Sequence, residues 1–195
     1  MRNVGGIVLA AGGATRFGGP KQLLKFKGET LVRRALRAVR EGGCAPVALV
    51  VGDSGALIKD ELREMSDGIV ENPEWPRGLG TSIRCGLQFL LVSAPNLDAA
   101  VVLACDQPFV EGDTIAALIA KKKRSGKSIV ASHYARTRGI PALFDRSCFA
   151  ALLALPDDSG AKALIESRSD DVVAIEFEKG AIDIDTRADF EALTG

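Results

Sequence analysis

Neither sign of charge predominates in this chain of 195 residues. Its 25 Lys and Arg balance 25 Asp and Glu, for a formal net charge of zero. A general nucleic-acid binder carries a basic excess that neutralises phosphates, so a nucleic-acid partner is not expected. The one basic run, Lys121-Lys122-Lys123-Arg124, follows an apolar helical stretch and reads as a solvated helix end whose cations complement the helix dipole. Histidine is nearly absent, with His133 alone, and Cys44, Cys85, Cys105 and Cys148 show no Cys-x-x-Cys spacing. That set does not support a zinc site. Cys85 sits in a helical pattern and Cys105 ends an apolar run, so both read as small buried hydrophobes. This usage fits a reducing compartment. No apolar run approaches membrane-spanning length, and the one after Met1-Arg2-Asn3 is too brief and too glycine-interrupted for a signal peptide. The expectation is a cytoplasmic protein with no membrane partner.

What the chain does have is a short apolar run, Gly6-Ile7-Val8-Leu9-Ala10, emptying into a glycine-rich loop that carries Arg16 and Lys21. Glycines let the backbone bring several N–H groups to one anion, and the two cations add charge where a polyphosphate sits. A plain surface turn is the bland alternative. The preceding strand and the basic residues favour a nucleotide-triphosphate cradle. The loop does not end in the Gly-Lys-Ser/Thr of a P-loop, nor does it supply Gly-x-Gly-x-x-Gly, so an ordinary P-loop NTPase and a dinucleotide enzyme are both discounted.

Strand-like and helix-like segments alternate, which predicts a three-layer α/β fold with a mostly parallel central sheet. Leu31, Val32, Ala35, Leu36 and Val39 recur at helical spacing, with Arg33, Arg34, Arg37 and Arg40 on the other faces. Pro46–Val51 reads as a buried strand. Leu57, Ile58, Leu62 and Met65 form another helix face, Ile69-Val70 a third strand, and a further helix begins near Thr81-Ser82. Ala99–Ala104 reads as a strand buried on both faces, as in parallel sheets. The next helix is expected to be capped by Asp113. Then come a strand at Ser128–Ala131, a hairpin between Tyr134 and Phe144, helices near 145–153 and 159–167, and strands near 172–176 and 181–184. Thr186-Arg187-Ala188-Asp189 is a capping box for a last helix with Phe190 and Leu193 facing inward.

In open α/β sheets ligands bind beyond the carboxyl ends of the strands. Asp106 stands at such an end, after the apolar run Ala99–Cys105. It is either a cap for the next turn or a ligand for a hard cation. Paired with a polyphosphate loop on another strand, Mg²⁺ is favoured, because this ion takes one or two carboxylates plus substrate phosphates. Asp183 and Asp185 offer a second carboxylate. In a strand they would alternate, so one faces the site, and Asp183 is preferred. The segment Asn72–Ser82 carries the only Trp, two Pro and two Gly and ends at a helix N-terminus. Such an end binds anions, though Thr81 and Ser82 also serve as simple caps.

The order Leu-Ala-Ala-Gly-x-x-x-Arg-Phe-Gly-x-x-Lys, Asn-Pro-x-Trp-x-x-Gly-Leu-Gly-x-Ser, Cys-Asp-Gln-Pro and Asp-Ile-Asp-Thr, spread from Gly6 to Leu193, resembles the MobA-like nucleotidyltransferases. Within them it looks most like the molybdenum-cofactor cytidylyltransferases. The resemblance implies a Rossmann-like nucleotidyltransferase fold in one domain, 1–195, with a nucleotide-binding half over about 1–110 and an acceptor half over about 111–195. It implies a Mg²⁺-dependent transfer of CMP from CTP to the phosphate of Mo-molybdopterin, with release of pyrophosphate. Ala10-Ala11-Gly12 has the form that goes with cytidine in the family.

Carried over, Leu9, Ala10, Ala11, Gly12, Gly13, Arg16, Lys21, Gly80 and Ser82 would bind the nucleotide. Arg16, Lys21 and Asp106 would be catalytic, Asp106 and Asp183 would hold the metal, and Arg138, Pro141 and Lys162 would meet the acceptor. Partners would be CTP or another NTP, a phosphorylated pterin, and transiently a molybdoenzyme or its chaperone. Relatives often show Gly-His-Pro and Gly-Ala-Arg where this chain has Gly139-Ile140-Pro141 and Gly160-Ala161-Lys162. These departures fall in the acceptor half and keep another phosphorylated acceptor open; GTP as donor and a non-catalytic cofactor-handover protein are the further alternatives.

Overall fold

The computed structural model describes residues 3–12, 19–63 and 68–194. One seven-stranded sheet runs through it, built from β1 (Val4–Ala10), β4 (Val47–Val51), β5 (Ile69–Glu71), β6 (Ala99–Ala104), β7 (Ile129–Tyr134), β8 (Thr137–Asp145) and β9 (Val172–Glu176). Their order is β5-β4-β1-β6-β8-β7-β9. Every pairing is parallel except those of β8, which runs antiparallel to both β6 and β7. Ala99–Ala104 is therefore parallel to β1 on one side only. A small hairpin, β2 (Lys25–Phe26) and β3 (Glu29–Thr30), lies apart from the sheet.

Alternation along the strands sends successive side chains to opposite faces. Val8, Leu49, Val101 and Leu143 meet α1 (Leu31–Glu41), α2 (Gly55–Glu61) and α4 (Gly112–Ser125) on one face. Ile7, Leu9, Val50, Val102 and Phe144 meet α3 (Leu79–Ser93), α5 (Phe149–Leu153) and α6 (Ala161–Ser167) on the other. A third cluster of Phe26, Leu31 and Ile184, with Phe109, Phe190 and Leu193 packed on it, fastens the hairpin and α7 (Arg187–Thr194) to the loop after β6. Phe190 and Leu193 thus face inward as expected. The capping box also forms, with Thr186 Oγ1 accepting from Asp189 N and Asp189 Oδ2 accepting from Thr186 N. No helix among the described residues is long and apolar enough to cross a membrane.

The structure departs from the sequence expectations at several points. Residues 181–184 form no strand: a 3-10 turn spans Glu178–Ala181, and the following segment joins no ladder. Helix α3 begins at Leu79, two residues before Thr81, with Gly78 as its N-cap. Glu111 precedes α4 as its N-cap, and Asp113 lies in the first turn, where its charge still suits the dipole. Leu57 is exposed while Ile58 and Leu62 on the same helical face are buried; Met65 lies outside the described residues. Arg34 is buried rather than on a solvated face, its guanidinium donating to Pro108 O and pairing with Glu111. In the basic run, Lys122 pairs with Asp145 at 2.7 Å. Cys85 is half-buried, whereas Cys44, Cys105 and Cys148 are buried, and all four are free thiols. Gly126-Lys127-Ser128 leaves α4 and enters β7, the reverse of the strand-to-helix order of a P-loop.

Helix α3 lies close to the sheet because Gly86 has no side chain. A Cβ there would sit 2.6 Å from Ile7 Cγ2 and 2.9 Å from Val50 Cγ2. Both partners are fully buried. We expect Gly86→Ala to destabilise the protein, overpacking costs of about 1–3 kcal/mol exceeding the gain in helix propensity of about 1 kcal/mol. Equilibrium denaturation checks this; an unchanged or higher midpoint would show that the interface can open at no cost.

Candidate active site

The chain leaves β1 toward β4 on one side, then returns to place β6 on the other. That reversal opens a crevice at the carboxyl ends of β1 and β6, the place where open α/β sheets take ligands. Leu9 and Ala104 are register partners at its floor. Its walls are Ala10 at the end of β1, Ala11 and Gly12 just after it, Asp106 after β6, Lys21 and Gln22 from the turn that follows β1, and Leu79 and Ser82 from the first turn of α3. Gly13 and Arg16, with the rest of 13–18, lie outside the described residues.

Lys21 is the centre of this arrangement. Its Nζ donates to Asp106 Oδ2 at 2.7 Å and to Asp185 Oδ1 at 3.0 Å. The side chains of Lys21 and Asp106 are 15% and 21% exposed, that of Asp185 60%. The Asp106 contact is thus the more shielded from solvent and the stronger of the two. Burial by itself would lower the Lys21 pKa. The Asp106 carboxylate, helped by Asp185, outweighs that and raises it above the ordinary lysine range. The ammonium stays charged at any physiological pH.

Asp183 joins the same group of carboxylates. Crowding by protein atoms, then repulsion from Asp106 and Asp185, pushes its carboxyl up to about 6. The residue as a whole remains exposed, so solvent weakens both effects. The expectation that only one of Asp183 and Asp185 faces the site fails, because it assumed a strand. With Ile184 N donating to Asp106 O at 3.0 Å, the non-ladder segment brings both carboxylates to the end of β6.

The wall of the crevice is braced from behind. Gln22, buried to 1% exposure, donates through Nε2 to Ala10 O and Gly12 O at 2.8 Å each and ties the loop entrance to β1. Asn72, also buried, donates to Thr81 Oγ1 and Ser82 Oγ while its Oδ1 accepts from Glu74 N. This fixes the Asn72–Ser82 segment through its own polar groups. Gly78 holds φ at 133°, and a Cβ there would lie 2.3 Å from Asp157 O. Gly80 does not line the crevice: its N–H donates to Asp157 O, and a Cβ would lie 2.0 Å from Pro156 O. It packs α3 against the loop before α6. Asp157 also binds Arg84, whose hydrogen bond is the chief reason its pKa falls below the usual carboxylate range.

The residues expected to meet an acceptor are dispersed. Arg138, exposed on β8, reaches Ser169 O at 3.4 Å, and Lys162 faces Glu166 at 3.8 Å along α6. Pro141 is buried, its carbonyl accepting from Ser132 Oγ. Sequence reasoning placed the Gly78–Ser82 segment, and with it Leu79, near the nucleotide, but missed Gln22 and Ala104 as crevice residues. Only the adjacency of Gln22 to Lys21, and the place of Ala104 two residues before Asp106, hinted at them.

The arrangement suits a polyanion at Lys21 and the start of α3, and a hard cation at the carboxylates. Asp106, Asp183 and Asp185 offer oxygen donors of the kind Mg²⁺ prefers, and a single described ammonium among three carboxylates leaves negative charge uncompensated. Among the described residues no cluster of His, Cys, Asp and Glu makes a metal cage by itself.

Residues 6–172 match the family model for the MobA-like NTP transferase domain. Nicotine blue oxidoreductase of Paenarthrobacter nicotinovorans is 29% identical over 192 residues, 94% of this chain and 92% of that protein. A probable molybdenum cofactor guanylyltransferase of Opitutus terrae is 32% identical over 130 residues, 66% of this chain and 59% of that protein. Further relatives are bifunctional proteins of which the chain spans only 21–28%. Among solved structures, Rv0371c of Mycobacterium tuberculosis H37Rv superposes with a TM-score of 0.82 at 29% identity, covering 98% of this chain and 96% of that one. A crystal structure of the same protein in complex with manganese has a TM-score of 0.77 at 27% identity, covering 98% and 97%.

The carboxylate crowding has a consequence for stability. A carboxyl whose folded pKa lies above its unfolded value of about 4 opposes folding once ionised; the penalty is absent below that value and complete above about 6. Asp183→Asn should therefore raise the melting temperature of the metal-free protein at pH 8, the gain vanishing as pH falls through 6 toward 4. Because the residue is exposed, the gain is at most about 1 kcal/mol. Thermal melts across pH test this, and an equal gain at pH 4 would rule out charge repulsion.

Proposed function

This chain belongs to the MobA-like NTP transferase family and is a nucleotidyltransferase, and we propose that it moves CMP from CTP to the phosphate of Mo-molybdopterin. The observation that carries this reading is the meeting of Lys21 with Asp106 and Asp185 at the mouth of the β1–β6 crevice. A cation for the triphosphate and carboxylates for a divalent ion stand side by side there. The cytidine preference rests on Ala10-Ala11-Gly12, where Ala11 is a small, buried wall residue. The phosphorylated acceptor rests on the resemblance, with Arg138, Pro141 and Lys162 as its candidate contacts.

In this reading the acceptor phosphate oxygen attacks the α-phosphorus of CTP. The new P–O bond forms as the bond to the β-phosphate oxygen breaks, and pyrophosphate leaves. A phosphate monoester is already anionic, so the step needs alignment and charge neutralisation more than a strong base. Leu9–Gly12, Leu79 and Ser82 hold the nucleotide, and Gln22 keeps the Ala10 and Gly12 carbonyls turned away from it. As found, Lys21 is committed to Asp106 and Asp185, so binding of the triphosphate exchanges those contacts for phosphate oxygens. The ammonium then stabilises the charge that develops on the departing pyrophosphate. Arg16, outside the described residues, is proposed to act beside it. Asp106 and Asp183 would hold Mg²⁺, which supplies neutralisation of phosphate charge when bound. The existence of a manganese complex of Rv0371c supports the use of a divalent ion.

A second reading has one specific observation behind it, the oxidoreductase name of a relative matched over 94% of this chain. The absence of a dinucleotide fingerprint in the glycine loop counts against it.

The deciding assay follows pyrophosphate release with Mg²⁺ for CTP, GTP, ATP and UTP, with and without Mo-molybdopterin. We expect release only with CTP and the pterin. Release with GTP instead, or with another phosphorylated acceptor, would overturn that assignment. Oxidation of a reduced nicotinamide cofactor without any pyrophosphate release would favour the oxidoreductase reading. In the same assay Lys21→Met should lower kcat by about 10²–10³-fold, the loss typical of removing one donor to developing charge. Asp106→Ala should abolish turnover with the circular-dichroism spectrum unchanged. Wild-type release from the Asp106 variant would remove that residue from the machinery.

A further inference from the structure

The Cys-Asp-Gln-Pro motif contains a residue that the proposed chemistry leaves without a role. Gln107 follows Asp106 at the end of β6 and is 7% exposed. Its Nε2 donates in two directions, to Ile140 O on β8 and to Gly180 O, at 3.2 Å each. The Ile140 carbonyl also accepts from Tyr134 Oη at 2.9 Å. Gly180 is wedged tightly, since a Cβ there would lie 2.6 Å from both the Phe177 and Tyr134 rings. Three residues beyond it is Asp183, then Ile184, whose N–H donates to Asp106 O, then Asp185, bonded to Lys21.

The segment from 180 to 185 carries two of the three clustered carboxylates, yet no strand ladder holds it. It is attached to the end of β6 at two points on either side of Asp183. One is the Gln107 amide on Gly180, the other the Asp106 carbonyl under Ile184. A side chain that supplies two N–H donors to carbonyls of two different segments has to be an amide, an arginine or a lysine. An uncharged one at this depth avoids placing a further buried cation beside Lys21. Glutamine meets both demands.

We propose that Gln107 is a positioning residue that sets the spacing between Asp106 and the Asp183–Asp185 pair, and ties that spacing to β8 through the Ile140 carbonyl. The role rests on the reading that Asp106 and Asp183 hold a divalent ion with the nucleotide. Gln107 touches neither substrate in that reading; it acts by holding the 180–185 segment where its carboxylates converge with Asp106. Because β8 carries Arg138 and Pro141, the same amide links the proposed acceptor strand to the carboxylates.

The test uses Gln107→Leu, which keeps much of the volume and removes both donors, and Gln107→Met, which keeps the length and likewise carries no N–H donor. Mn²⁺ binding in the presence of CTP is followed by electron paramagnetic resonance, and CTP binding is measured separately in EDTA. For both variants we expect Mn²⁺ affinity to fall about 10–100-fold, the range seen when a partner that orients metal ligands is removed. CTP affinity in EDTA should be unchanged, because the crevice wall at Leu9–Gly12, Leu79 and Ser82 does not involve Gln107. Unchanged Mn²⁺ affinity in a folded variant would overturn the proposal. So would a parallel loss of CTP affinity, metal affinity and melting temperature, which marks a merely structural role. If one variant fails to fold, the other is read by the same criteria. If the wild-type protein with CTP binds no Mn²⁺, the metal reading itself is wrong and this role falls with it, a result distinguishable from failure of the Gln107 variants alone.

Discussion

The Lys21 ammonium, shared between Asp106 and Asp185, joins three remote parts of the chain. Lys21 leaves the turn after β1, Asp106 ends β6, and Asp185 precedes α7, yet both carboxylates lie within 3.0 Å of Nζ. Asp183 adds a third carboxylate, whose pKa is raised by desolvation first and by repulsion from the other two second. Without the ammonium the three would drive the 183–185 segment away from β6. With it, the most shielded contact is between Lys21 and Asp106, and the Asp185 contact is open to water and easily exchanged. The cluster is firm on the β6 side and adjustable on the α7 side, an arrangement suited to letting the ammonium exchange a carboxylate partner for an incoming polyanion.

The two sides of the crevice are held by different means. On the β1–β6 side, parallel ladders fix Leu9 against Ala104, and Gln22 and Asn72 brace the loops with buried side-chain hydrogen bonds to backbone and hydroxyl groups. Such positions are difficult to shift, because any movement leaves buried polar groups without partners. On the other side, the 180–185 segment relies on a few separate attachments: Gln107, the Asp106 carbonyl, the small Phe26–Leu31–Ile184 cluster and the Thr186–Asp189 capping box. Antiparallel β8 is the strand next to β6 on this side, and it brings Ile140 within reach of Gln107.

Much of this fold was legible along the chain. The apolar runs at Val4–Ala10, Val47–Val51 and Ala99–Ala104 are strands because both of their faces are covered, and the 3.6-residue spacing from Leu31 to Val39 is a helix because one face meets the sheet. Boundaries set by tertiary contacts were misjudged. Helix α3 starts early because Gly78 and Gly80 let its first turn lie against the Pro156–Ser159 loop, and residues that look like caps at Thr81 and Ser82 are bound instead by Asn72. Arg34 looked like a surface cation and is buried because the loop after Asp106 offers it a carbonyl and a carboxylate.

What the sequence by itself determined was local: periodicity, the glycine-rich loop with its cations, the carboxylate after an apolar run, and the last helix's capping box. Each depends on neighbours within a few residues, so each is visible in one dimension. Only the tertiary structure decided that Lys21 lies between Asp106 and Asp185, that both Asp183 and Asp185 approach β6, and that Gln22 and Gln107 are struts. Gln22 reaches only 10 and 12 residues back along the chain, but the Gln107–Gly180 and Lys21–Asp185 contacts span 73 and 164. They depend on strand order and on the reversal between β1 and β6, which no local pattern encodes.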